Sequence, residues 1–310
     1  MSGGLVLGTG WVPEDPDPRD FGHDHPSVAA FLERVGIGPG LRSGQKLPHR
    51  VDLRRWCPPV RFQGGYNDCT ANVVAELVEF FEKKTHGKSL RVSRLFLYKV
   101  ARNLLSLEGN VGVYIRQVMG VLKLVGVPSE KYWPYLKGGT FATPTSKDPR
   151  LDAEPTALSY ALARDYRAIS YYRLDATRRR KGGSLLRLAK AHLAADIPFV
   201  FGFPLFESIR QSRKTGRVPY PSRGEKRLGN HAVLAVGYDD RLRIHNRRPG
   251  SAETVGALLV QNSWSNGWGE RGFGWIPYEF IRRGRARDFW VLIRADWVDT
   301  GQFQLRPAVS

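Results

Sequence analysis

The stretch Pro59-Val60-Arg61-Phe62-Gln63-Gly64-Gly65-Tyr66-Asn67-Asp68-Cys69-Thr70-Ala71-Asn72 sets a cysteine at the head of a helix. Beyond it, Val74, Leu77, Val78 and Phe81 recur at i, i+3, i+4 and i+7, an amphipathic stripe that Gly87 ends. Unpaired N–H groups and the positive dipole end at a helix start lower a thiol pKa, and the thiolate is the reactive form of cysteine. Cys69 is therefore a candidate nucleophile, although a buried apolar role is the commoner fate of a free cysteine. Asp68 is expected to cap the helix; a carboxylate there also acts to raise the thiol pKa.

Working outward, two more helices are predicted over residues 93–105 and 113–125, the latter closed by Gly126, so residues 50 to about 130 form a helical lobe. After Tyr135 the pattern changes. A strand is predicted over 168–174 and a helix over 184–195. Further strands follow over 199–206, 231–238, 257–262 and 290–295, rich in Val, Ile, Leu and aromatics. Helices followed by strands indicate an α+β architecture with a cleft between two lobes.

Two later stretches supply partners for Cys69. In Leu228-Gly229-Asn230-His231-Ala232-Val233-Leu234-Ala235-Val236-Gly237-Tyr238, His231 heads an apolar strand. A histidine titrating near neutrality can hold a cysteine as an ion pair and later protonate a leaving amine. In Gln261-Asn262-Ser263-Trp264-Ser265-Asn266-Gly267-Trp268-Gly269, Asn262 offers a side-chain oxygen that can orient that histidine.

Taken together, these segments resemble the papain-like cysteine peptidases. Gln63 stands six residues before Cys69, Asn-His-Ala-Val precedes Val-Gly-Tyr, and Asn-Ser-Trp is followed by Trp-Gly and Gly272-Phe273. Tyr132-Trp133-Pro134-Tyr135 and Trp275-Ile276-Pro277-Tyr278 are similar to further landmarks of the family, so the resemblance covers about residues 50 to 295. It implies a two-lobed fold, helical and β-barrel-like. Cys69 would be the nucleophile, His231 the base, Asn262 its orienter and Gln63 an oxyanion donor beside the Cys69 N–H, with Trp264 shielding the His–Asn bond. The Gly112 to Gln117 region would line part of the cleft. Some positions depart from the better-known pattern: Tyr66 replaces a disulfide cysteine, Asn67, Asp68 and Thr70 replace Gly, Ser and an aromatic, and Ser265 replaces a glycine. These departures resemble bacterial and intracellular branches that lack that disulfide.

Composition limits the alternatives. In 310 residues the expected organisation is an extension over 1–49, a catalytic domain over 50–297 (helical lobe about 50–135, β lobe about 136–297) and a tail over 298–310. Hydrophobic residues make up 42%, enough for a sizeable core. No apolar run approaches the roughly 18 residues of a membrane span. The first residues lack the pattern of a secretory signal, so the expected location is the cytoplasm unless another route exports the chain. Cys57 and Cys69 are the two cysteines and are expected to be free thiols. Neither they nor the seven histidines have metal-ligand spacing, and no metal or cofactor is expected. The charge of +19 is consistent with a solvated basic surface and admits an acidic partner. Its densest run, Arg178-Arg179-Arg180-Lys181, reads as an exposed loop without interleaved aromatics, so no specific nucleic-acid binding is expected.

The Gly-, Pro- and Asp-rich residues 1–49 read as an extended surface segment with one short helix over 28–35; the alternative is a pro-segment that blocks the cleft. The expected function is hydrolysis of a peptide or protein substrate through a Cys69 thioester. Two other readings use the same fold: an idle binding or assembly module, and an acyl-transferase acting through the same thioester.

Overall fold

The structure is a computed structural model; it describes residues 8–35, 37, 46–87, 89–136, 149–164, 170–176 and 182–293. The basic run 178–181 and the tail 298–310 lie outside the described residues.

A short helix, α1 (Pro26–Arg34), opens with proline in its first turn and buries Val28 and Leu32; a three-residue strand, β1 (Arg50–Asp52), follows. The helical lobe is built on α2 (Cys69–His86), with α3 (Arg94–Asn103) and α4 (Ile115–Leu124) packed against it. Gly87 ends α2 in the left-handed region, φ 63°, and donates its N–H to Lys83 O. Ser93 caps α3 by accepting from Phe96 N. The apolar stripe of α2 understates its burial, since 16 of its 18 residues are buried. The reason is position: α2 meets α3 and α4 on one side and the sheet of the second lobe on the other. Leu77, Phe80 and Phe81 on α2 each contribute about 2 kcal/mol by burial. Two short helices, α5 (Pro149–Asp152) and α6 (Ala157–Ala163), complete this half.

The second lobe contains β2 (Ser170–Arg173), α7 (Gly182–Ala194), β3 (Phe199–Phe206), β4 (Arg227–Ile244), β5 (Thr254–Gln261), β6 (Phe273–Pro277), α8 (Glu279–Arg282) and β7 (Arg287–Ile293). The strands form one antiparallel sheet in the order β2-β7-β3-β4-β5-β6, with β1 also paired to β4. β4 is much longer than the predicted 231–238 because residues on both sides also pair with β3 or β5. On β7, Val200 faces Trp290 and Gly202 faces Arg287, so Asp288 and Phe289 together oppose Phe201 alone. This bulge holds Asp288 at φ 59°, a left-handed conformation unusual outside glycine. Among the described residues no helix is long and apolar enough to cross a membrane.

Within the N-terminal segment, residues 8–20 do not simply run over the surface. Residues 8–20 thread between the lobes as a strap. Val113 N donates to Gly10 O at 2.9 Å, Val12 N to Val113 O at 3.2 Å, and Gly10 N to Asn230 O at 3.2 Å. Trp11 is buried, and Arg116 on α4 pairs with Glu14 at 2.5 Å and Asp20 at 2.7 Å. Such contacts reach across the fold and carry no local periodicity, so the composition of the segment alone pointed to an exposed path.

Candidate active site

Cys69 begins α2, with its side chain facing the sheet; the backbone N–H groups of Ala232, Trp11 and Thr70 reach its sulfur. His231 enters from β4. Its Nε2 bonds Asn262 Oδ1 at 2.8 Å, and that same oxygen accepts from Ser263 N at 2.8 Å. Trp264 stacks on the imidazole with centroids 4.5 Å apart. The other ring nitrogen, Nδ1, is buried without a hydrogen-bond partner.

Gln63 is buried beside this group. Its Nε2 donates to Tyr66 O at 2.8 Å and reaches Thr9 O at 3.4 Å, while its Oε1 accepts from Ser263 Oγ. Ser263 therefore fixes which way the amide points, a role that sequence reasoning missed although the residue lies inside the Asn-Ser-Trp motif. Ser265 adopts φ 68°, which explains why glycine is the usual residue at that position of the pattern.

Two expectations are corrected. Asp68 occupies the N-cap position but makes no capping bond. Its carboxylate instead accepts from Tyr135 Oη at 2.8 Å, with the Arg94 guanidinium nearby, and burial raises its pKa. The Cys69 thiol is also not activated in this state. Burial pushes it up to about 12, with a smaller upward push from Asp68, against the three N–H groups that favour the thiolate. Burial likewise lowers His231 to about 4, against the opposing effect of Asn262. Burial thus favours the uncharged forms of both thiol and imidazole.

The strap crosses this centre. Trp264 Nε1 donates to Gly8 O at 3.2 Å, Thr9 Oγ1 bonds Asn67 Oδ1 at 3.0 Å, and the Trp11 N–H points at Cys69. Val113, from the Gly112 to Gln117 region, pairs with Trp11 of the strap in an isolated bridge. Among the described residues no group of three or more His, Cys, Asp or Glu is gathered in a way that could hold a metal ion.

A helical lobe against an antiparallel sheet, with cysteine, histidine and asparagine meeting at their junction, defines a papain-like architecture. The chain belongs to the papain family of cysteine proteases, whose family model matches residues 47–282. An uncharacterised peptidase C1-like protein of Acanthamoeba polyphaga mimivirus is 30% identical over 292 residues, covering 91% of this chain and 86% of that one. Peptidase 1 of Euroglyphus maynei is 26% identical, covering 74% and 61%. Among solved structures, xylellain, a cysteine protease from Xylella fastidiosa, superposes with a TM-score of 0.71 at 32% identity, covering 93% of this chain and 97% of that one.

Proposed function

We propose that the chain is a cysteine peptidase whose N-terminal extension, within residues 1–49, holds it latent. The observation that carries this is the set of backbone N–H groups reaching the Cys69 sulfur: one comes from Ala232, next to the Asn262-held His231, and another from Trp11 of the strap. With the strap displaced and the site hydrated, the charged pair of thiolate and imidazolium becomes accessible. The thiolate attacks a peptide carbonyl, and the negative oxygen accepts from the Cys69 N–H and Gln63 Nε2. The C–N bond breaks as His231 gives its proton to the leaving amine. Water, deprotonated by His231, then attacks the thioester, releasing a carboxylic acid and restoring the thiol. Asn262 holds the imidazole plane, and Trp264 keeps water from the bond between them. Thr9 O near Gln63 Nε2 supports the oxyanion role, because a carbonyl of the strap already approaches that donor.

The test is labelling by an electrophilic thiol probe together with cleavage of a mixed peptide library. Cys69→Ala is expected to abolish both, while Cys57, buried with its thiol pKa raised, stays unlabelled. Cleavage that survives Cys69→Ala would overturn the assignment.

A further inference from the structure

Trp11 is the strap residue whose backbone N–H reaches the Cys69 sulfur, so its side chain enters the body of the protein beside the proposed nucleophile. Its indole is only 3% exposed. One face lies on Gly202 of β3, where an added Cβ would stand 2.1 Å from the ring. At the far end of the hole, the indole Nε1 donates to Asp288 Oδ2 at 2.8 Å.

Asp288 is 1% exposed, and the β7 bulge aims it into the hole. Its other oxygen accepts from Arg173 Nη2 at 2.6 Å, and Arg173 is shared with Asp175 at 2.9 Å. A buried indole N–H needs an acceptor, and here the acceptor is a carboxylate that Arg173 fixes in place. When the strap leaves, Asp288 Oδ2 loses both the Trp11 N–H and the N–H of Glu14, which donates at 3.1 Å. What remains is a slot of indole width with an acceptor at its end that any occupant must desolvate.

We infer that this slot is the specificity pocket and that it selects tryptophan in the substrate, with Asp288 as the residue that reads the ring N–H. The inference rests on the peptidase reading and on the strap being displaceable. Leucine and phenylalanine would fill part of the slot but leave the buried oxygen unpaired, the situation in which a polar site discriminates most strongly. Arginine would also satisfy the oxygen, since Arg173 is shared between Asp288 and Asp175, but it lacks the flat ring that the Gly202 face accommodates.

Equilibrium binding to the full chain carrying Gly10→Ala and Cys69→Ala tests this without requiring turnover. A Cβ at Gly10 would fall 2.0 Å from Asn67 O, which unseats the strap. Any remaining strap occupancy lowers all affinities by one common factor and leaves their ratios intact. The probes are tripeptide amides that differ at one residue: tryptophan, 1-methyltryptophan, phenylalanine, leucine or arginine. Tryptophan is expected to bind about tenfold or more tighter than 1-methyltryptophan and phenylalanine. The methylated ring isolates the N–H without altering the protein; Asp288→Ala is expected to abolish the difference. Equal binding of tryptophan and 1-methyltryptophan, or preference for leucine or arginine, would overturn the pocket. Cleavage by the Gly10→Ala chain retaining Cys69 reports separately on the peptidase reading.

Discussion

Trp264 stacks on His231 with ring centroids 4.5 Å apart and planes inclined by 24°, while its own N–H is turned to the strap at Gly8. One residue thus supports the proposed base and also holds the segment that covers it. Stacked aromatic pairs contribute about 1 kcal/mol, close to a factor of five in rate if that support is lost. Trp264→Ala is expected to lower kcat by about fivefold or more on an opened chain and to speed strap exchange, read by amide hydrogen exchange over residues 8–20.

Unseating the strap should wake the thiol. Gly10 adopts φ 123° and has no room for a side chain, so Gly10→Ala costs the closed state on the order of 1–3 kcal/mol or more. The rate of Cys69 alkylation by iodoacetamide is expected to rise at least about tenfold at pH 7. The closed state holds His231 near 4, below its ordinary value of 6.5. Its contribution to the closed state is therefore present above 6.5 and is lost as pH falls towards 4. Strap opening, followed by hydrogen exchange, should increase in that window; an unchanged opening population between pH 7 and 4.5 would contradict it.

Gln63 is aimed by Ser263 and has one N–H directed towards Thr9 O. Gln63→Ala is expected to cost about a hundredfold in kcat with KM little changed, since the proposed bond strengthens as the oxyanion forms. A loss confined to KM would instead indicate ordinary substrate binding.

Glu76 lies fully buried on α2 with neither carboxylate oxygen hydrogen-bonded, and burial raises its pKa to about 8. A carboxyl whose folded pKa is raised contributes stability below its unfolded value of 4.5, and that contribution is lost as pH rises towards 8. Thermal stability of the native chain should accordingly fall across pH 5 to 8. Glu76→Gln should flatten this slope and stabilise the chain at pH 8 by a few kcal/mol, on the order expected for a shift of several pKa units. Melting curves at several pH values decide it.

The site was legible where its chemistry is local. Cys69 at a helix start, Gln63 six residues earlier, His231 ahead of an apolar run and Asn262 before Ser-Trp each sit in a run whose spacing carries meaning. Asp68 was misread because capping depends on which neighbour claims the carboxylate, and Tyr135 claims it from another part of the chain. The strap was hidden for a related reason. Trp11 is one aromatic in a Gly- and Pro-rich segment, and its partner Asp288 lies 277 residues away on a bulge that strand patterning does not reveal. The lowered thiol pKa expected from the helix start is likewise opposed by something local patterning does not show: N–H groups act over one turn, whereas the burial that outweighs them comes from the packing of the whole fold around Cys69.

The strap belongs to the same chain as the cleft that it fills, and α1 anchors it by burying Val28 and Leu32. Occupancy is therefore unimolecular: diluting the protein does not empty the cleft, and a small competitor faces an effective concentration on the order of millimolar. A backbone cut between the strap and β1 changes the order of that reaction. The severed piece becomes an ordinary ligand that dilution washes away, so one hydrolytic event would act as a ratchet, converting a reversible equilibrium into a permanent change of state.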